Sequence, residues 1–376
     1  MTLMKRRDVL SGVASGAIAT TLTSAMTAPT ATATANGNTN EDTAAEPDIE
    51  WRMATSWPPA IDTLYSTAEE IADRVSAMTQ GRFKIQVSAA GELVPGLQVL
   101  DAVQEGTAQC GHSAAYYYIG KSKALAFSTA MPFGLTARQQ NAWFYQGGGI
   151  DAMNQVYKTF NTIAFPAGNT GVQMGGWFKR EVNTLADLQG LKMRTAGLGG
   201  EVFSRMGVNV QALPAGEILL ALELGTIDAA EWVGPYDDEK LGLQETAPYY
   251  YYPSWWEPGA SLDLMINIDA WNELPERYQR VLVEAAAAAS TTCMAKYDAR
   301  NPLALARLVK GGTGLRRFSD EILQAAKQES EALLEEFASS DAVFREVYTP
   351  WKAFRAEVQQ WHGLSELGLV SFAAQS

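Results

Sequence analysis

The chain has 376 residues and a net charge of −13, which repels nucleic acid and anionic lipid. Two cysteines and two histidines leave no material for a zinc cluster. Apolar residues reach 47 %, enough for large cores, yet no apolar run attains the roughly 18–20 residues of a bilayer span.

The chain opens with Lys5-Arg6-Arg7-Asp8, then an uncharged run over residues 11–28, then the small residues Ala31 to Ala35. Basic, apolar and small segments in that order predict an export signal over residues 1–35. The paired arginines point to the twin-arginine route and the periplasm. Residues 36–47 are polar and aperiodic and read as a flexible leader. Structure should begin near Ile49, where Ile49 to Met53 alternates like a strand. A helix over Thr63–Thr79, a strand over Phe83–Val87 and a helix over Gly96–Gln104 follow, with Gly81 and Gly106 as stops. That β-α-β-α order predicts an α/β domain with a mainly parallel sheet.

The pattern resumes with a strand over Val172–Phe178, a short helix at Leu185–Leu188, a strand at Leu191–Arg194 and a helix over Gly199–Met206. A helix over Ala215–Leu224 and strands at Ala229–Trp232 and Ser261–Ile268 come next. Three helices end the chain, over Pro275–Lys310, Asp320–Ala338 and Asp341–Trp361. Two α/β units in an exported chain without a catalytic inventory suggest a hinged binding protein that closes over a ligand. In open sheets that ligand sits beyond the carboxyl ends of the strands.

Two features there carry chemistry. Arg194 ends a strand before Gly197, where its planar fork can meet a carboxylate; an exposed salt bridge is the alternative. Glu231 lies at a small-residue strand end, and Glu257 lies amid Tyr249–Tyr252, Trp255 and Trp256. A carboxylate in an aromatic wall needs a cation, and without Cys or His the suitable ions are hard ones such as calcium. The alternative is that both glutamates are solvated edge residues. Trp232, Tyr236, Trp255 and Trp256 are candidates for the pocket wall, while the 249–252 tyrosines could serve pocket or sheet. Nothing near His112 or His362 resembles a nucleophile elbow, so His112 is expected to pack among its neighbours and His362 to lie in a polar tail. Cys110 and Cys293 could pair or remain buried thiols.

Four segments carry a family resemblance: Trp51 to Pro58, Gly168 to Phe178, Lys192-Met193-Arg194, and Glu231 to Pro258 with its Trp-Trp-Glu-Pro-Gly. Over the whole mature chain the sequence resembles the extracytoplasmic solute receptors of TRAP transporters, the DctP-type proteins, and within them the receptors for 2-oxo acids and lactate. The resemblance implies a two-lobed α/β periplasmic binding protein fold, type II-like, with hinge strands and long C-terminal helices. It implies that Arg194 binds the ligand carboxylate. It implies a metal ion held by Gln173, Glu231 and Glu257 through side-chain oxygens and by Trp232 through its carbonyl. Asn169 and Tyr118 fall where the subgroup places polar contacts to the acid, although the Tyr116-Tyr117-Tyr118 run leaves open which tyrosine enters.

The expected function is therefore that of a receptor, not an enzyme. It would bind a small 2-oxo or 2-hydroxy monocarboxylate such as pyruvate or lactate, with substrate contacts from Arg194, Asn169, Gln173, Tyr118 and Trp232, and deliver it to the membrane permease. Calcium is preferred to sodium, because two glutamates and a monoanion are neutralised by Arg194 plus a divalent ion. Expected domains are lobe I at 48–170 plus 260–300 and lobe II at 171–259 plus 301–340. Residues 341–376 form a terminal helix that either straps its own lobes or exchanges in a homodimer. A receptor for a dicarboxylate, aromatic acid, sialic acid or ectoine is the alternative within the family. A secreted metal-dependent enzyme is the alternative outside it.

Overall fold

Alternating apolar residues set the strands, and two sheets result. The computed structural model describes residues 46–374. The expected export signal, and the leader up to residue 45, lie outside the described residues. In chain order the strands are β1 (Ile49–Thr55), β2 (Phe83–Ser88), β3 (Cys110–Ser113), β4 (Thr162–Asn169), β5 (Gly176–Phe178) and β6 (Lys192–Arg194). They continue with β7 (Asn209–Gln211), β8 (Ala229–Ala230), β9 (Tyr249–Tyr252), β10 (Ser261–Asn267) and β11 (Gly314–Arg317). One sheet has the order β2-β1-β3-β10-β4, the other β11-β9-β5-β8-β6-β7. Each underlies one lobe.

The expectation of a mainly parallel sheet needs correction. In the first sheet β1 pairs in parallel with β2 and β3, but β10 runs antiparallel to both β3 and β4. The cause is topological. The chain leaves the first sheet through β4 and returns through β10, so these passages run opposite to each other. β4 itself escapes a pattern reading: it carries Pro166 and is buried on both faces near its end. As an edge strand it tolerates the proline. The expected Val172–Phe178 strand shrinks to β5, because residues 170–175 form a loop that leaves Val172 exposed.

Helices cover both sheets. Asp62–Met78 buries Leu64, Ala68, Ile71 and Val75, the apolar stripe expected from its spacing. The 35-residue helix Glu276–Lys310 lies against β4, the Asp62–Met78 helix and the Pro235–Leu241 helix, and so joins both lobes. Its Ala285, Ala286 and Ala289 are fully buried against Leu264 and Ile266, and these small side chains permit the close approach. Asp320–Ser340 packs on the Gly197–Arg205 helix of the second lobe. Ala342–Leu364 then packs on the Ala137–Gln146 and Gly149–Lys158 helices of the first. The C-terminal helices thus strap their own two lobes. The expected terminal helix breaks at Ser365, and its last piece, Glu366–Ala373, exposes Leu367, Leu369, Val370 and Phe372. Cys110 and Cys293 are free and buried.

Asp263 on β10 is buried without a cation, accepting from Ser128 Oγ at 2.7 Å and Tyr157 Oη at 3.0 Å. Burial raises its pKa from 3.8 to about 7. Between those values the native state holds a proton that the unfolded chain has released, so stability falls as pH rises through that window. Asp263→Asn should flatten this decline by up to about 1.4 kcal/mol per pH unit. Thermal melting of both proteins from about pH 4 to pH 7 checks it, and parallel curves would refute the assignment.

Candidate functional site

Arg194 ends β6, and its carbonyl accepts the Glu231 amide at 3.0 Å, which sets the first residue after β8 beside it. The guanidinium is only 1 % exposed. Its Nε donates to Leu213 O at 3.1 Å, and its Nη1 donates to Glu231 O at 2.6 Å and Glu231 Oε2 at 3.2 Å. The Trp232 ring lies 5.0 Å from Cζ, a cation–π contact. Arg194 is therefore in a buried ion pair, neither exposed nor free. Tyr117 stands alongside, close enough to hydrogen-bond the guanidinium. Recognition of an acid would run through the side of the fork that faces Tyr117.

Glu231 is fully buried, and its Oε1 has no hydrogen-bond partner. Burial, with Asp238 nearby, raises its pKa to about 7 against the opposing pull of Arg194. Asp238 also holds the turn: Oδ1 accepts from Val233 N and Gly234 N, while Oδ2 accepts from Trp177 Nε1 and Tyr250 Oη. Gly176 lets β5 come close to this turn. Its φ is +91°, and a Cβ there would stand 2.7 Å from Ala230 O.

Glu257 comes from the loop after β9 and is 1 % exposed. Neither carboxylate oxygen has a partner. The Tyr116 hydroxyl faces it without closing a hydrogen bond of good geometry. Burial first, and then the Glu231 charge, push its pKa well up. Gln173 lies in the 170–175 loop, tied to the Glu257 segment by its own amide, which donates to Glu257 O at 3.2 Å. Its Nε2 donates to Thr170 Oγ1 at 3.1 Å, which leaves the buried Oε1 unpartnered. The Trp232 carbonyl accepts no hydrogen bond among the described residues.

The site thus gathers Arg194, Gln173, Glu231, Trp232 and Glu257, with four buried side-chain oxygens lacking any protein donor. An unpaired buried carboxylate is costly, and a hard cation removes the cost. All the donors are oxygen. Among the described residues no group of three or more His, Cys, Asp or Glu gathers, so a nitrogen- or sulfur-rich transition-metal site does not arise. The donor set fits a calcium- or sodium-like ion.

Two expected contacts go elsewhere. Tyr118 shares a hydrogen bond with Ser113 Oγ at 2.8 Å and belongs to the first lobe's core. The tyrosines that feel Arg194, Glu231 and Glu257 are Tyr116 and Tyr117, on the short 3-10 turn after β3. Asn169 is committed to the backbone: Oδ1 accepts from Gly171 N at 2.8 Å and Nδ2 donates to Gly259 O at 3.3 Å. Of the aromatic wall, Trp232 lines the cavity and Trp256 lies beside Glu231, while Trp255 stacks on Phe133. Tyr236 instead donates to Asp62 Oδ2 at 3.2 Å, where Lys240 also meets Asp62. Sequence reading missed Trp57, Thr170 and the Leu213 carbonyl; the first two fall inside the motifs already quoted, the third in a loop without a signal.

Residues 53–341 match the DctP family, described as bacterial extracellular solute-binding protein, family 7. The monocarboxylate 2-oxoacid-binding periplasmic protein of Nostoc sp. is 57 % identical over 373 residues, 99 % of this chain and 100 % of that one. A TRAP transporter solute-binding protein from Bordetella bronchiseptica, a mixed-occupancy dimer with copurified calcium and picolinate in one site, superposes with a TM-score of 0.87 at 46 % identity, covering 88 % of this chain and 98 % of that one. A TRAP periplasmic solute-binding protein from Pseudoalteromonas atlantica, with bound sodium and pyruvate, gives 0.83 at 37 % identity, covering 86 % and 98 %. Sequence match and shared two-lobed fold agree: the chain belongs to bacterial extracellular solute-binding protein family 7, the DctP family.

Proposed function

We propose that this chain is the receptor of a TRAP transporter for a small 2-oxo or 2-hydroxy monocarboxylate of the pyruvate or lactate type. One observation carries the reading: buried oxygens of Gln173, Glu231 and Glu257 close no hydrogen bond of good geometry, and Glu231 is paired with the Arg194 guanidinium. Gln173, Glu231 and Glu257 would hold a metal ion through side-chain oxygens, and Trp232 through its carbonyl. The ion supplies a hard positive centre for the acid's carboxylate and adjacent 2-oxygen. Arg194 receives the carboxylate on the side that faces Tyr117. Trp232 and Tyr117 exclude water around it.

Calcium is our choice of ion. Two glutamates, one acid anion, Arg194 and a divalent ion sum to neutrality, which burial favours. Relatives support both metals, since one carries calcium with picolinate and another sodium with pyruvate. The narrow cavity beside Gln173 and Trp232 supports a small acid over sialic acids or ectoines. Both histidines have structural partners: His112 meets Trp57 and Ala167, and His362 meets Gln139. That supports a receptor over an enzyme. We further infer export to the periplasm by the twin-arginine route and delivery of the acid to the membrane permease. Lobe I is assigned to 48–170 plus 260–300 and lobe II to 171–259 plus 301–340. The exposed Trp361, Leu364 and Phe372 support a homodimer through the last helices.

The test is a calorimetric titration of chelated protein with pyruvate, lactate, a dicarboxylate and an aromatic acid, before and after adding calcium. Calcium-dependent binding of the two short acids is expected. Metal-independent binding of the dicarboxylate, with pyruvate silent, would overturn the reading.

A further inference from the structure

The cavity beside the site has a mixed lining, with Gln173, Thr170 and Trp232 on the one hand and Trp57, Leu64 and Leu262 on the other. Its free volume is about 10 Å³, roughly what one water molecule needs. An acid seated with its oxygens toward Gln173 would set its carbon chain against the apolar part of this lining, which includes Trp57. Leucines there can change rotamer to admit a longer chain, so a size limit needs a wall that cannot move.

Trp57 is such a wall. It follows β1, is 1 % exposed and meets Trp232 edge-on at 6.4 Å, so that an indole from each lobe closes the same space. Its Nε1 donates to His112 Nδ1 at 2.8 Å. His112 is fully buried on β3, and its Nε2 donates to Ala167 O on β4 at 3.2 Å. The imidazole is thereby fixed between an indole and a strand backbone, with Nδ1 as acceptor and the proton on Nε2. Turning Trp57 away would leave His112 Nδ1 without its donor and the indole Nε1 without its acceptor in the core, an expensive arrangement.

We propose that Trp57, pinned by His112, is the residue that restricts this receptor to short-chain acids, with His112 as its positioning residue. The inference rests on the 2-oxo acid reading above. It is tested by titrating wild type, Trp57→Phe, Trp57→Ala, His112→Phe and His112→Gln, each shown folded by thermal melting, with pyruvate, 2-oxobutyrate and 4-methyl-2-oxopentanoate in saturating calcium. Wild type should prefer pyruvate. Trp57→Ala should shift the ratio of affinities toward the branched acid by about tenfold or more, and Trp57→Phe by less. His112→Phe, which cannot accept the indole proton, should shift it in the same direction, whereas His112→Gln should keep the wild-type ratio. Ratios within about twofold of wild type in both Trp57 variants overturn the proposal and leave the functional reading intact. So does a wild type that binds the branched acid as tightly as pyruvate. A wild type that binds none of these acids overturns both.

Discussion

Arg194→Lys should lose about a hundredfold in affinity for pyruvate, measured by calorimetry in saturating calcium. Lysine keeps the charge but not the fork. It cannot serve Leu213 O and Glu231 O together while still offering a donor to the acid. Two charge-assisted hydrogen bonds to the anion and its surroundings are at stake, at about 1.5–3 kcal/mol each. The ammonium would settle on Glu231, its nearest anionic partner, and take that carboxylate away from the ion as well. The ligand-free protein should also melt earlier, since carbonyl acceptors in the core lose their donor. Binding within threefold of wild type would show that the acid is anchored elsewhere.

Glu257→Gln should separate ion binding from folding by moving them in opposite directions. Both Glu257 oxygens are buried without donors, and Glu231 adds like-charge repulsion. A neutral amide removes that penalty, so the chelated variant should be at least as stable as chelated wild type, with a gain of about 1 kcal/mol or more. Calcium binding should weaken by tenfold or more, because one of two formal charges on the ion's cage is gone. Excess calcium should then restore part of the pyruvate affinity. Differential scanning fluorimetry with chelator and with graded calcium reads both effects. A variant that is destabilised under chelator yet keeps its calcium response would place Glu257 in a structural role instead.

Legibility followed how local each determinant was. Arg194 and Glu231 sit at strand ends whose apolar pattern is short but clear, so placing them at the sheet's carboxyl edge required only the chain itself. Gln173 and the Trp232 carbonyl come from loops without periodicity, and motif resemblance alone singles them out, whereas Glu257, also in a loop, stands out by its aromatic surroundings. The tyrosine run defeated both approaches. On a 3-10 turn successive residues point in different directions, so three identical side chains reach different surroundings, and Tyr118 turns to Ser113. The hydrogen bonds of Asn169 are only half legible, because Gly171 is two residues on while Gly259 lies on a segment 90 residues away. The mixed sheet order was invisible for the same reason: strand direction in β10 depends on where the chain has travelled since β4.

The double commitment of Asn169 has a mechanical consequence. Where the two passages between sheets run side by side, Asn169 pairs with Ser261, Thr170 N donates to Ala260 O, and the Asn169 side chain fastens Gly171 to Gly259. Strands clipped together this way resist sliding and twist as one short axle. Gln173 follows only a few residues beyond, so cargo would press almost on the pivot. A displacement of an ångström there becomes a much wider swing at the outer rims, the geometry of a nutcracker gripped near its pin.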